Sequence, residues 1–515
     1  MLFNSYAFIL IFLPIAALVF FLIGRTGRYT LAIAWLVLAS LLFYGLWNPV
    51  FLSVIFASIL FNYGWGMLVG RGSKSLLAVG IAANLGGLGY FKYAGFFVDN
   101  LTAVTGIAIA PPPLILPLAV SFYTFQQIAY LVDVYHGKIR DHDFLNYCLF
   151  VTFFPRLMQG PIVYYDEIMP QFAQKEIFRF NPRMVAAGNT IFFFGLFKKV
   201  VIADGLAVYA TPVFEAARHQ YVLSFLEAWQ GALAYTLQIY FDFSGYSDMA
   251  IGLAYLFGIR IPLNFNSPYK SLSVIDFWRR WHMSLSRFLR DYLYIPLGGN
   301  RKGEARRFAN LMLTMLLGGL WHGAAWTFVL WGGLHGVFLV INHGWIKIRR
   351  HLGFQAAGGW FGRLFAGTLT FLAVTVAWVF FRADSVSSAL RMLGSMAGLN
   401  GFALPVKYLD KFGPLAAQLK WWGIDFQAMH YFEGSSEVIY IAIALLIVWL
   451  APNVQQMMDL CAPYLNILGK EKKLPAPLAW LTWRPSLRWA IVLILCALAS
   501  VLSLSRASEF LYFQF

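Results

Sequence analysis

Charge is scarce in this chain. Only 12% of its 515 residues are Asp, Glu, Lys or Arg, 60% are hydrophobic and the mean hydropathy is +0.66. Those values exclude a soluble enzyme and place the chain among integral membrane proteins. Cysteine is almost missing as well. Cys148, Cys461 and Cys496 are scattered in or near apolar stretches, without metal-ligand spacing or an obvious pairing, and read as small core residues. There is no Walker sequence, zincin-type His-Glu-x-x-His, soluble nucleotide-binding domain, internal repeat or low-complexity tract. No metal or tightly bound cofactor is expected, and the formal charge of +16 sits mostly in loops, where it reports topology and calls for no nucleic-acid partner.

What the chain has in abundance is apolar runs. A hydrocarbon core about 30 Å thick takes roughly 20 apolar residues per helix, and such runs recur at 6–24, 29–47, 51–69, 76–90, up to Val132, 185–206, 222–257, 364–381, 437–450 and 489–504. The first has no basic region before it and no small-residue cleavage site after it, so it reads as a retained helix and not a signal peptide. Lys and Arg in the loops at 25–28, 71–74, 136–140 and 175–183 mark cytoplasmic flanks. Both termini are then expected outside, as is the low-hydropathy segment 383–436. The architecture predicted is all-α: one polytopic membrane domain over 1–515 with about 12 membrane helices. Residues 144–163, interrupted by Pro155, Arg156, Gly160 and Pro161 between two cytoplasmic flanks, read either as a re-entrant element, with Arg156 pointing into a cavity, or as a kinked helix pair.

Charges at membrane depth are costly and usually face a bundle interior or water. Lys198, Lys199, Asp204, Asp242 and Asp248 are of this kind. Two readings stand for them, functional groups of a central cavity or snorkelling lysines and structurally paired aspartates.

The chemical centre is FWRRWHMSLSRFLRDYLYIPLGGNRKG, starting at Phe277, followed after an apolar segment by WHGAAWTFVLWGGLHG. Phe277, Trp281, Leu285, Phe288 and Leu289 recur at helical spacing, with Arg279, Arg280, Arg287 and Arg290 on the polar side, the pattern of a cytoplasmic interfacial helix. Its guanidinium groups, with Arg301 and Lys302 in GGNRKG, suit the phosphates of a nucleotide-containing donor and suit anionic lipid equally. His282 lies on that helix, His322 in the WHG turn beside Trp321, and His335 on a later helix. A buried neutral imidazole can take a proton from an attacking hydroxyl and return it to a leaving group. By spacing alone His322 serves as well as a structural histidine, and no clustered cysteine or carboxylate completes a metal site.

These motifs, together with YTLQIYFDFSGYSDMAIGLAYLFGI, NFNSPYKSLSVIDFWRRWH and LGYFKYAGFF, closely resemble the membrane-bound O-acyltransferases (MBOAT), in particular the bacterial branch that acetylates alginate, other exopolysaccharides or peptidoglycan. The resemblance covers nearly the whole chain. It implies that His322 matches the family's catalytic histidine and His282 its second functional position, lining a central tunnel with Trp321, His335, Asp242 and Asp248 at its wall. It further implies an acyl relay in the bacterial inner membrane: acetyl enters from a cytoplasmic donor, acetyl-CoA, and is delivered outside to a separate SGNH-type or related transferase that modifies an alginate-like polysaccharide, with peptidoglycan or cellulose as alternatives. The segment 383–436 and the loop 470–488 depart most from that branch and leave polymer and partner open. The aromatic tail at 505–515 reads as an interface belt, but it also resembles the tyrosine-bearing C-terminal motif of small partners in teichoic-acid D-alanylation, which implies Tyr512 as an acyl carrier activated by His322. A transporter-like subunit and a non-catalytic scaffold of a polysaccharide synthase are the competing classes.

Overall fold

The computed structural model describes residues 1–112, 114–353, 359–432, 434–458, 474 and 476–505. They are overwhelmingly helical and form two compact units. The first consists of the described parts of 1–197, 244–264 and 452–514, the second of the described parts of 198–243 and 265–451.

In the first unit, α1 (Leu13–Arg25) follows a π turn at Phe8–Phe12, and α2 (Tyr29–Gly45), α3 (Val50–Val69), α4 (Lys74–Thr105) and α5 (Val120–Tyr135) come next. Phe8–Arg25 and Val50–Val69 are long and apolar enough to cross a membrane, whereas Tyr29–Gly45 is apolar but shorter. The interrupted run of residues 144–163 breaks into α6 (Phe144–Thr152) and the four-residue α7 (Phe154–Leu157), before α8 (Tyr165–Phe172). Pro155 explains the break: it removes an amide donor and forbids a continuous helix. The backbone N–H of Phe154 is satisfied instead by Ser40 Oγ at 3.1 Å. Phe154 itself enters a buried aromatic cluster with Phe12 and Phe43, at centroid distances of 5.3 and 5.8 Å. Non-helical backbone at membrane depth is tolerated where protein covers it in this way. Next comes α9 (Pro182–Phe197), against which the helix Leu487–Ser503 packs.

The second unit opens on a π turn, Lys198–Ala203, that leads into α10 (Asp204–Arg218). The long α11 (Phe225–Leu256) belongs to this unit as far as Phe243. Then come α12 (Val274–Trp278), α13 (Met283–Leu289), α14 (Glu304–His322), α15 (Trp326–His351), α16 (Trp360–Arg382) and α17 (Val386–Met396). Trp326–His351 and Trp360–Arg382 are the other two helices long and apolar enough to span, and Ser435–Leu450 and Leu487–Ser503 are shorter apolar helices.

Two expectations need correction. The basic stretch from Phe277 is not one amphipathic helix: α12 and α13 are separated at His282, whose backbone is left-handed (φ 41°, ψ 55°). Phe277, Trp281, Leu285, Phe288 and Leu289 are all buried as their spacing implied, so periodicity found the buried side but not the break. The described residues are also not purely helical. Within 383–436, β1 (Phe402–Pro405) pairs in parallel with β2 (Ile424–Gln427), Phe402 opposite Ile424 and Pro405 opposite Gln427.

Candidate functional site

The site is built on the α14–α15 hairpin of the second unit. At Gly319 a Cβ would run into the carbonyl oxygen of Phe328 and come within 3.1 Å of Gly332 Cα, and at Gly332 it would meet the carbonyl of Met315. Absence of side chains at these two positions lets the helix backbones touch, the usual device for close helix association in lipid. The hairpin fixes His322 at the last position of α14 and His335 three turns into α15.

His322 is 4% exposed. Its ring lies edge-on to Trp331 at 5.1 Å and Phe381 at 5.2 Å, with Trp321 at 4.9 Å. His282 is fully buried and faces His322 at a centroid distance of 6.5 Å. It packs against the ring of Phe243 at 4.7 Å, and neither of its ring nitrogens has a hydrogen-bond partner, so the two imidazoles are not bonded to each other. A non-glycine residue held left-handed costs roughly 1–2 kcal/mol, and such strain concentrates at functional positions. His335 has a defined tautomer. Trp278 Nε1 donates to its Nδ1 at 3.2 Å, so the imidazole proton sits on Nε2, which has no partner.

Aromatic rings close this enclosure. Trp331 stacks on Trp378 at 5.6 Å, Trp378 Nε1 donates to Tyr269 Oη at 3.1 Å, and Tyr269 Oη donates to the Thr236 carbonyl at 2.7 Å. Trp331 Nε1 is the exception: it is buried and has no acceptor among the described residues. A buried unpaired donor beside a histidine is where an oxygen atom of a ligand is expected.

The structure thus brings His282, His322, His335 and Trp321 together. Arg279, Arg301 and Lys302 are exposed, Arg287 is half-buried, and Arg280 pairs with Asp276 at 3.0 Å. Asp242 is held by an ion pair: Lys199 Nζ lies 2.6 Å from Asp242 and 2.7 Å from Asp204, all three nearly inaccessible. Lys199 and Asp204 are five residues apart, a spacing that the i→i+5 bonding of the π turn supports. Asp248 belongs to the first unit, where Gln455 Nε2 donates to it at 2.8 Å. Tyr512 lies outside the described residues. Sequence reasoning missed Trp278, Trp331, Trp378 and Phe381. The Trp331/His335 pair was findable as i, i+4 neighbours on a helix, whereas Trp378 and Phe381 arrive from a helix distant in sequence and carried no local signal.

Two buried imidazoles, one of them His282 with neither ring nitrogen bonded among the described residues, thus share a tryptophan-lined enclosure. A family model described as MBOAT, membrane-bound O-acyltransferase family, matches residues 135–380. A peptidoglycan O-acetyltransferase of Helicobacter pylori is 45% identical over 435 residues, covering 78% of this chain and 81% of that protein. A probable alginate O-acetylase of Pseudomonas putida is 42% identical over 415 residues, covering 78% and 82%. A teichoic acid D-alanyltransferase of Bacillus subtilis is 30% identical over 237 residues, covering 44% and 59%. The chain belongs to the membrane-bound O-acyltransferase family. It is a multi-pass membrane acyltransferase.

Proposed function

We propose that this protein is an O-acetyltransferase of the bacterial inner membrane, which takes acetyl from cytoplasmic acetyl-CoA and passes it across the membrane for O-acetylation of a cell-surface glycan. The observation that carries the reading is His282, strained, buried and without a hydrogen-bond partner, facing His322 across 6.5 Å. The two relatives that match over most of the chain are named for O-acetyl transfer and differ on the polymer, peptidoglycan in one case and alginate in the other, whereas the relative that matches over less of it is named for D-alanyl transfer. A glycan is therefore the substrate class, and an extracytoplasmic SGNH-like transferase is the partner that completes the modification.

In this reading His322 removes the proton of the acceptor hydroxyl, whose oxygen attacks the thioester carbonyl. The carbonyl oxygen gains charge and takes the free N–H of Trp331. As the C–S bond breaks, His322 returns the proton to the departing thiolate, leaving an acetyl ester and a free thiol. His282 positions the acceptor. Tyr512 as carrier, and Arg279, Arg280, Arg287, Arg301 and Lys302 as contacts for donor phosphates, belong to the same reading and rest on the resemblance and on charge.

Trp331→Phe tests the donor role, because it removes the N–H while leaving an aromatic, though smaller, ring against Trp378. Turnover should fall by about 10²-fold, the usual loss for one oxyanion donor, with donor affinity little changed; unaltered turnover assigns Trp331 to packing. The function itself is tested with purified protein in liposomes supplied with acetyl-CoA. An acyltransferase releases free thiol in step with acetyl transfer, whereas substrate flux without thioester consumption would identify a transporter.

A further inference from the structure

Outside the histidine enclosure, the first unit buries a cation with no ion-pair or hydrogen-bond partner among the described residues. Arg156, in α7, is 1% exposed, and its Nε, Nη1 and Nη2 atoms have no hydrogen-bond partner among the described residues. Its recorded contact is the ring face of Phe150, 4.9 Å away. Gln159, three residues on, is 2% exposed, and its Oε1 and Nε2 are likewise without partners. Two buried side chains three residues apart therefore leave five polar atoms without partners among the described residues.

The backbone holds both residues on one tight turn. The Gly160 N–H donates to the Arg156 carbonyl at 3.1 Å. A Cβ at Gly160 would lie 2.7 Å from Arg156 Cβ and 2.8 Å from Arg156 O, so the turn closes this tightly only without a side chain there. Pro155 and Pro161 stiffen its two ends. A guanidinium buried in this way costs several kcal/mol unless an anion offsets it.

We propose that Arg156 and Gln159 form a binding subsite for an organic phosphate that carries a hydroxyl or amide N–H close to its phosphoryl group. The planar guanidinium fork matches two phosphoryl oxygens, and the Gln159 amide N–H supplies a further donor. Gln159 Oε1 accepts, so it calls for a hydroxyl or amide N–H donor on the ligand beside the phosphoryl group. Two sources share this chemistry. One is the phosphopantetheine arm of the thioester donor, with its hydroxyl and amides, and this source rests on the donor named above. The other is a phospholipid headgroup, which does not.

The test uses the full-length protein, delipidated in a phosphate-free detergent, with phosphopantetheine and pantetheine as calorimetric probes and native mass spectrometry for retained phospholipid. Wild type should bind phosphopantetheine at least about tenfold more tightly than pantetheine, as expected for hydrogen bonds to a charged group. Arg156→Lys, which keeps charge and loses the fork, should remove that preference while pantetheine binding stays constant. Gln159→Leu should weaken it and serves as the second variant should the lysine protein not fold. If the source is lipid, wild type instead retains one phospholipid that both variants lose. The proposal is overturned if wild type neither prefers the phosphorylated probe nor retains lipid, or if both variants behave as wild type does. Phosphate binding that depends on Arg156 without acetyl-CoA turnover would remove the donor reading and leave the subsite; turnover with variants that bind like wild type would do the reverse.

Discussion

His322→Ala should reduce O-acetylation by about 10²- to 10⁴-fold, the range a single general base supplies, while the protein accumulates in the membrane at a normal level. His322 ends α14 inside a shell of Trp321, Trp331 and Phe381. The close backbone approach of α14 to α15 is made elsewhere, by Met315 and Gly319 on α14 with Phe328 and Gly332 on α15. Removing the imidazole should therefore delete the proposed proton carrier and leave that backbone approach intact. Polymer acetylation measured in cells, against immunoblotted protein, separates the two effects. Near-normal acetylation with normal protein would make His322 a packing residue.

Gly319→Ala should be nearly as severe through geometry alone. The added methyl group meets the backbone oxygen of Phe328, an atom that no rotamer change can move, so α14 and α15 must separate. Overpacking of this kind costs roughly 1–3 kcal/mol, and displacement of a catalytic group by about 1 Å can cost about 10²-fold in rate. Both the melting temperature and the turnover should fall. Gly333→Ala is the control: its Cβ would meet only Leu316 Cδ2, at an ordinary 3.5 Å. Alanine is the better helix former by about 1 kcal/mol, so that variant should be at least as stable as wild type and remain active. Equal behaviour of the two alanine variants would remove the hairpin contact from the account.

Hydrophobic run length located the helices well. The runs starting near Tyr29, Val50, Trp360, Ser435 and Leu487 appear within a few residues of where composition put them. The interruption after Thr152 was legible because Pro155, Gly160 and Pro161 are local signals. The break at His282 was not. Its neighbours keep a helical apolar period, and only tertiary packing against Phe243 and Trp321 pins that residue in a left-handed conformation. For the same reason His322 and His282 could be singled out along the chain, whereas the tryptophan enclosure around them could not. Single-letter motifs can be read along the chain, whereas Trp378 reaches Trp331 only after α16 packs on α15. The unused donor on Trp331 and the unpaired Arg156 become visible only when partners can be counted in three dimensions.

In the proposed function His322 moves the proton that makes acyl transfer possible. A single-turnover experiment tests it most directly: purified wild type and His322→Ala, in identical nanodiscs with bound radiolabelled acetyl-CoA, receive the same acceptor hydroxyl, and acetyl ester and free thiol are followed together. Wild type should give ester and thiol in stoichiometric amounts and the variant both at a rate about 10²- to 10⁴-fold lower at equal donor occupancy; ester formation at the wild-type rate in the variant would rule out the proton role of His322.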